Sequence, residues 1–342
     1  MRLVVMILGL ILIPALVGSG VYWERRNVVR NRLAEAQAVV GKSSGDAVFD
    51  QLLGDYSTNA QAHFLGAQHF RRTKRSGQAL ECLAQAAELG WPQPRVNREK
   101  LLVLARIDFR RMQKYLQLIL DRSPLDRDVL LLLAEGYYSQ SRLDKAESLV
   151  TRWLNHKPGD GEASFIRGQI AMSGHRWEMA SRDLAAAAAG GPDEFFYPTA
   201  AKLLAGAYLE LGKFEEALVL FRECQQREPE DTEILYNLGQ SASFLQRWDE
   251  ALDAFQKAIR LRPQRDVLLK AAHVHEVRRE FSDAIALLKK AESGDPRDLE
   301  VISSMARLLQ SMGKTEEAKA YRGRYDQMKD YWTEARAGPP SK

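Results

Sequence analysis

The sequence predicts an all-α chain, a solenoid of about eight helical hairpins behind one N-terminal transmembrane helix. Three observations predict it. The segments "LGKFEEALVLFRECQQREP" (211–229) and "LQRWDEALDAFQKAIRLRP" (245–263) match at a 34-residue offset, with Leu211 on Leu245, Phe214 on Trp248, Ala217 on Ala251, Phe221 on Phe255 and Pro229 on Pro263. Apolar and proline positions hold while polar positions drift, which is the mark of repeats constrained only by packing. Within each unit the apolar residues run at helical spacing twice with a break between, as in "EILYNLGQSASFL" and "RWDEALDAFQKAIRL", so each unit is a hairpin of two helices. Finally, Leu3 to Tyr22 forms an uncharged run of 20 residues.

Taken in chain order, residues 1–23 form the expected anchor. A helix of this length is about 30 Å long, the thickness of a bilayer's hydrocarbon core. A cleaved signal peptide is the competing reading, since Gly18, Ser19 and Gly20 are small, but the run exceeds the usual apolar stretch and only Arg2 precedes it. Arg25, Arg26, Arg30 and Arg32 follow it, a bias that favours holding the C-terminal part in the cytoplasm; the alternative is a periplasmic location.

Residues 24–59 read as a juxtamembrane helix and an atypical hairpin, through "NRLAEAQAVV" and "DAVFDQLLGDY". The repeat array occupies 60–336. Its alanine slot is filled by Ala79, Ala146, Ala180, Ala217, Ala251, Ala284 and Ala318, and its closing proline recurs as Pro124, Pro158, Pro192, Pro229, Pro263 and Pro296, where it stops a finished helix and shapes the turn to the next. The unit from Gln93 puts Met112 where alanine belongs and is expected to be looser. "GGPDEFFYP" adds three residues after Pro192, a place for the array to bend. From Leu299 the last unit runs into a polar helix without a closing proline, as a solvent-facing cap should. The tail 337–342 is expected to be disordered.

These units resemble tetratricopeptide repeats, 34-residue helix-turn-helix modules with small residues at positions 8 and 20, aromatic residues near 11 and 24, and proline at 32. Leu238, Gly239, Ala251, Phe255, Ala258 and Pro263 match in the unit from Thr232, and Leu204, Tyr208, Ala217, Phe221 and Pro229 in the unit from Pro198. The resemblance implies a right-handed superhelical solenoid and a non-catalytic scaffold that binds a protein or peptide partner in its concave groove. One short span, an arginine cluster and a helical solenoid also make a layout similar to bacterial inner-membrane adaptors that assist envelope assembly. Those end in a cysteine metal knuckle, which this chain lacks. A second reading is an exported periplasmic assembly or spacer factor with the same solenoid.

Composition excludes several other classes. A net charge of +4 over 342 residues gives no footprint for nucleic acid. Cys82 and Cys224 are the two cysteines and lie in different repeats, so neither a disulfide framework nor a cysteine metal site is expected. "GKSSGD" (41–46) ends like a phosphate-binding loop, but Ala36 stands where the first glycine is required and a helix precedes it where a strand should. His273 and His275 with Glu276 lack the spacing of a helical metal site. No nucleophile elbow or acid–base pair is found, so no catalysis, cofactor, metal or small-molecule substrate is expected.

In the family that the chain resembles, the first helix of each hairpin lines the concave face. Position 5 then reads Phe64, Leu131, Phe165, Lys202, Tyr236, Leu269 and Ser303. The groove expected to take a partner comprises Phe165, Lys202, Tyr236, Asn237 and Lys270, with the aromatics as apolar anchors and the polar groups receiving an acidic or amide group. A complete carboxylate clamp of the family's co-chaperone kind is not expected, because Gly206 removes a donor and Asp266 places a negative charge where a positive one is needed.

Overall fold

A computed structural model describes residues 26–337; the apolar run Leu3–Tyr22 and the residues after 337 lie outside it. Among the described residues every regular element is an α-helix. They follow one another as α1 (26–38), α2 (Gly45–Asp55), α3 (Ala60–Arg72), α4 (Ser76–Glu88), α5 (Gln93–Ile107), α6 (Phe109–Arg122), α7 (Arg127–Ser139), α8 (Leu143–His156), α9 (Gly161–Ser173), α10 (Trp177–Ala188), α11 (Tyr197–Glu210), α12 (Phe214–Arg227), α13 (Thr232–Phe244), α14 (Trp248–Leu261), α15 (Arg265–Val277), α16 (Phe281–Gly294), α17 (Leu299–Ser311) and α18 (Thr315–Ala337). Two compact units share them. The first contains residues up to Gly174 together with Arg182–Ala200; the second contains His175–Ser181 and the chain from Ala201 onward. No described helix is long and apolar enough to cross a membrane.

Each hairpin is closed by the same packing. The alanine slot is fully covered at Ala79, Ala146, Ala180, Ala217, Ala251 and Ala284, and Phe221 and Phe255 are completely buried. Small residues let the partner helix close in: a Cβ placed on Gly239 would lie 2.5 Å from the Phe255 ring, and one on Gly168 would lie 2.7 Å from Leu184. Glycine at these two sites is therefore a matter of space, because either neighbour is locked in the core.

The start and the turn of each hairpin have chemical causes. Asp126, Asp160, Asp231 and Asp298 cap α7, α9, α13 and α17 by accepting backbone N–H bonds, satisfying donors that the helix leaves open. The first helix ends in a left-handed residue, successively Lys74, Ser141, His175, Gly212, Gln246, Arg279 and Gly313. The amide that follows donates back across the helix end, as from Arg247 to the Ala242 carbonyl at 2.9 Å and from Glu280 to His275 at 2.8 Å, the Schellman arrangement. Five of these seven residues carry a β-carbon in a conformation that costs L residues roughly 1–2 kcal/mol. Gln246→Gly is thus expected to stabilise its hairpin by about 0.5–1 kcal/mol, less than the full strain because glycine also loosens the unfolded chain. Urea denaturation would check it, and a loss of stability would mean that the Gln246 side chain makes a contact worth more than the strain.

The unit from Gln93 departs from this pattern in its turn as well as at Met112. Asp108 alone reverses the chain, ending α5 and capping α6 through the Arg111 amide. Phe109, just inside α6, packs edge-on to Tyr137 at 5.6 Å.

Candidate partner-binding surfaces

In both units the first helices of successive hairpins touch one another, α3 with α5, α5 with α7, α7 with α9, α13 with α15 and α15 with α17, in addition to the contacts inside each hairpin. This face of each unit is therefore built from first-helix side chains. Phe165 belongs to the first unit; Lys202, Tyr236, Asn237 and Lys270 belong to the second.

Phe165 lies in the core, 5% exposed, stacked on Phe196 at 5.4 Å. Leu131 and Leu269, which share its repeat position, are likewise buried. The second unit presents a different surface. Tyr236 is half-buried; its hydroxyl accepts from the Gln240 amide at 3.0 Å and its ring leans on Phe255 at 6.3 Å. Burial, together with Asp266 and Glu300 nearby, raises the pKa of its hydroxyl, so it remains a neutral donor. Asn237 is half-buried beside it and Lys270 is exposed. Lys202 is spoken for: Nζ donates to Asp231 at 3.2 Å and to Glu233 at 3.1 Å. Burial works against its charge, but these two hydrogen bonds outweigh that and its pKa rises.

Lys202 is one member of a series that sequence reasoning missed. In each case a cation near the start of one first helix reaches the capping aspartate of the next, and the acid two residues beyond it. Arg127 binds Asp160 at 2.5 Å and Glu162 at 2.9 Å, and Arg265 pairs with Asp298 and Glu300. The readable signal is the recurring acid-x-acid string at helix starts, Asp126-Arg127-Asp128, Asp160-Gly161-Glu162, Asp231-Thr232-Glu233 and Asp298-Leu299-Glu300. It looks like solvated charge until the cation about one repeat earlier is set beside it. These pairs tie hairpin to hairpin and leave few free charges on the first-helix face.

The string "GKSSGD" is the turn between α1 and α2, and it docks onto the inserted "GGPDEFF" segment of the same unit. The Ser43 amide donates to the Asp193 carbonyl at 2.7 Å, and the amide and hydroxyl of Ser44 donate to the Asp193 carboxylate at 2.8 and 2.9 Å. Those donors hold the Asp193 carboxyl below the usual range. Behind the contact, the Gly41 amide donates to Nδ1 of the fully buried His69, whose Nε2 faces Asp46 at 2.8 Å. Burial lowers the pKa of His69, so it stays neutral and can accept that bond. The docked loops border a polar cleft of about 540 Å³ within the first unit, with Arg72, Arg127, Lys157, Asp160, Glu162 and Glu194 on its walls. Burial raises the pKa of Glu194.

Among the described residues, His275, Glu280 and Asp283 bring possible ligand atoms within 4.8 Å of one another. The pair is already occupied internally: His275 Nδ1 lies 2.6 Å from Glu280, and Arg278 holds the other Glu280 oxygen at 2.8 Å. The arrangement is an ion-paired turn at the start of α16, with an arginine where a metal would need an open ligand.

Comparison with known proteins agrees with the packing. A tetratricopeptide-repeat family model matches residues 202–266 and 236–298. The chain is 25% identical over 122 residues to the BBSome complex member BBS4 of Bos taurus, covering 36% of this chain and 24% of that protein. The Mus musculus counterpart is 25% identical over 107 residues, 31% of this chain and 21% of the other. The chain thus spans about a quarter of the length of the curated relatives it matches. Among solved structures, that of YrrB, described as a TPR protein with an unusual peptide-binding site, superposes with a TM-score of 0.51 at 16% identity, over 55% of this chain and 95% of YrrB. The covered alanines, the buried aromatics, the repeated left-handed turn and the family match together make residues 202–298 tetratricopeptide repeats.

Proposed function

We propose that the protein is a membrane-anchored tetratricopeptide-repeat scaffold that holds a protein or peptide partner on the first-helix face of its second unit and catalyses no reaction. The observation that carries this reading is the partly open Tyr236 and Asn237 of α13 and the exposed Lys270 of the touching α15: a half-buried aromatic, an amide and a cation on a face whose other charges are largely paired. A ring that is already pinned and partly desolvated is the residue type that dominates interfaces. The description of YrrB as carrying a peptide-binding site, and of BBS4 as a complex member, fits such a role. Leu3–Tyr22 supplies the anchor, and the arginines that follow it keep the repeats on the cytoplasmic side.

A photo-crosslinking residue placed at Tyr236 in the full chain, in cells, tests this, with the same residue at Val219 on the second-helix side as its control. Adducts are expected at 236 and not at 219. Once the adduct is identified, Tyr236→Ala should weaken that partner by more than about 1 kcal/mol, and Lys202→Ala should alter the salt dependence by unmasking Asp231 and Glu233. Equal adducts at both positions would place the partner elsewhere. For the topology, a C-terminal reporter active only outside the membrane should stay silent; activity would favour the periplasmic reading.

A further inference from the structure

In the first unit, several cations of α3, α5 and α7 are engaged: Arg71 with Glu99 and Asp128, Arg98 with Asp126, Arg106 with Glu135, and Arg127 with Asp160 and Glu162. Arg110, Arg111, Lys114 and Arg122 of α6 are all exposed, and among the described residues none of the four forms an ion pair. Asp121 is the one acidic residue of that helix.

The geometry of α6 gathers these groups. Leu116 and Leu120 are its buried side chains. At about 100° per residue, the opposite side centres on Leu118, with Arg111, Lys114, Arg122, Tyr115 and the single acid Asp121 each within roughly 60° of it. Leu118 is 58% exposed and Tyr115 43%, and Ile107 and Leu125 stand exposed just before and after the helix. The Lys114 ammonium lies 4.9 Å from the centre of the Tyr115 ring. Four of the ten large exposed apolar side chains among the described residues thus fall in the nineteen positions 107–125, and that concentration separates the segment from ordinary solvated surface. This is also the hairpin that departs from the repeat, with a one-residue turn at Asp108 and Met112 in the alanine slot.

We infer that α6 is a peripheral membrane-contact helix, which lies against an anionic bilayer with Leu118 and Tyr115 at the headgroup–acyl boundary and Arg110, Arg111, Lys114 and Arg122 among the lipid phosphates. Charge complementarity points to a polyanion, and the apolar centre selects the bilayer among polyanions. A nucleic acid offers phosphates but no apolar phase for Leu118. A bilayer offers both, in the order in which an amphipathic basic helix presents its groups. Arginine and lysine stems add to this, because they run along apolar surface while the charged ends stay at the phosphates. The inference stands on α6 alone and does not depend on whether Leu3–Tyr22 spans a membrane.

The test uses the full chain with an environment-sensitive fluorophore on Leu118→Cys. Cys82 and Cys224 are buried and their thiols are pushed up to about 11 by burial, so at neutral pH the introduced exposed thiol is the one labelled. A probe on Val219→Cys, in α12 of the second unit, reports general proximity to lipid. The protein is added to phosphatidylcholine vesicles with and without phosphatidylglycerol. The Leu118 probe should brighten and shift to the blue severalfold more with the anionic vesicles, while the Val219 probe responds alike to both. Each cation near an anionic surface strengthens binding roughly fivefold, so changing all four to glutamine should lower the anionic preference by at least about tenfold. High salt should remove it from the unmodified chain, a readout independent of whether the fourfold variant folds. Equal responses of the Leu118 probe to both vesicle types would overturn the inference, as would a preference that survives high salt. So would a probe that answers to a duplex RNA or a polyglutamate peptide and not to the anionic vesicles.

Discussion

Arg71→Met is expected to destabilise the first unit by about 3–5 kcal/mol, the usual consequence of removing one partner from a buried ion pair. Arg71 is 2% exposed and Glu99 1% exposed. Arg71 Nε donates to Glu99, and its Nη2 donates to Asp128 at 3.1 Å. The second oxygen of Glu99 is buried without a hydrogen-bond partner, so methionine at 71 strands a carboxylate in the core with no donor at all. The double change Arg71→Met, Glu99→Leu removes both charges and should recover most of the loss, since apolar replacements of a whole buried pair are often neutral. Asp128 adds a pH signature. Burial pushes its pKa up, but Arg71, Arg72 and Arg127 outweigh that and the folded value lies below the ordinary one. A depressed folded pKa means that its contribution is complete above the unfolded value, near 4, and is lost as pH falls through the folded value. Without Arg71 that loss should begin at higher pH. Hydrogen exchange in α3, α5 and α7, followed against urea and pH, would measure both effects. A cost below about 1 kcal/mol would show that water reaches the pair.

Ala251→Trp should cost the second unit more than about 3 kcal/mol, beyond the usual range for overpacking. Ala251 and Phe255 are fully buried on α14, and across the hairpin Gly239 has no room even for a β-carbon. An indole in this slot must separate α13 from α14, because neither wall is a flexible side-chain end. Repeats hold chiefly their neighbours, so amide protection should fall first in α13, α14 and the contacting α12 and α15, and less in α17. Simultaneous and equal loss from α12 to α18 would contradict the repeat-by-repeat picture.

How much of this was legible beforehand follows from the range of each interaction. Every alanine of the slot is legible in its spacing, and each is buried, because a helical hairpin repeats the same close approach wherever it recurs. The left-handed turn residues Lys74, Ser141, His175, Gln246 and Arg279 share no chemistry and could not be found that way; the Schellman hydrogen bonds impose their conformation whatever the side chain. Phe165 and Tyr236 occupy the same repeat position and read alike in the sequence. Their environments differ because Phe196, from the inserted segment of the first unit, stacks on Phe165, whereas the Tyr236 ring leans on its own hairpin's Phe255 and stays partly open. Ser44 and Asp193, 149 positions apart, have no sequence pattern linking them at all.

By itself, then, the sequence determined the hairpin unit, its period and the residues that pack within it, because those contacts lie inside one repeat and recur at a fixed offset. Only the tertiary structure decided which charges are paired and which position-5 side chains are covered. It also decided that the exposed α6 cations form no ion pair among the described residues. Burial and ion pairing depend on which side chains from other hairpins come within a few ångströms, and those partners lie at separations that no local periodicity encodes.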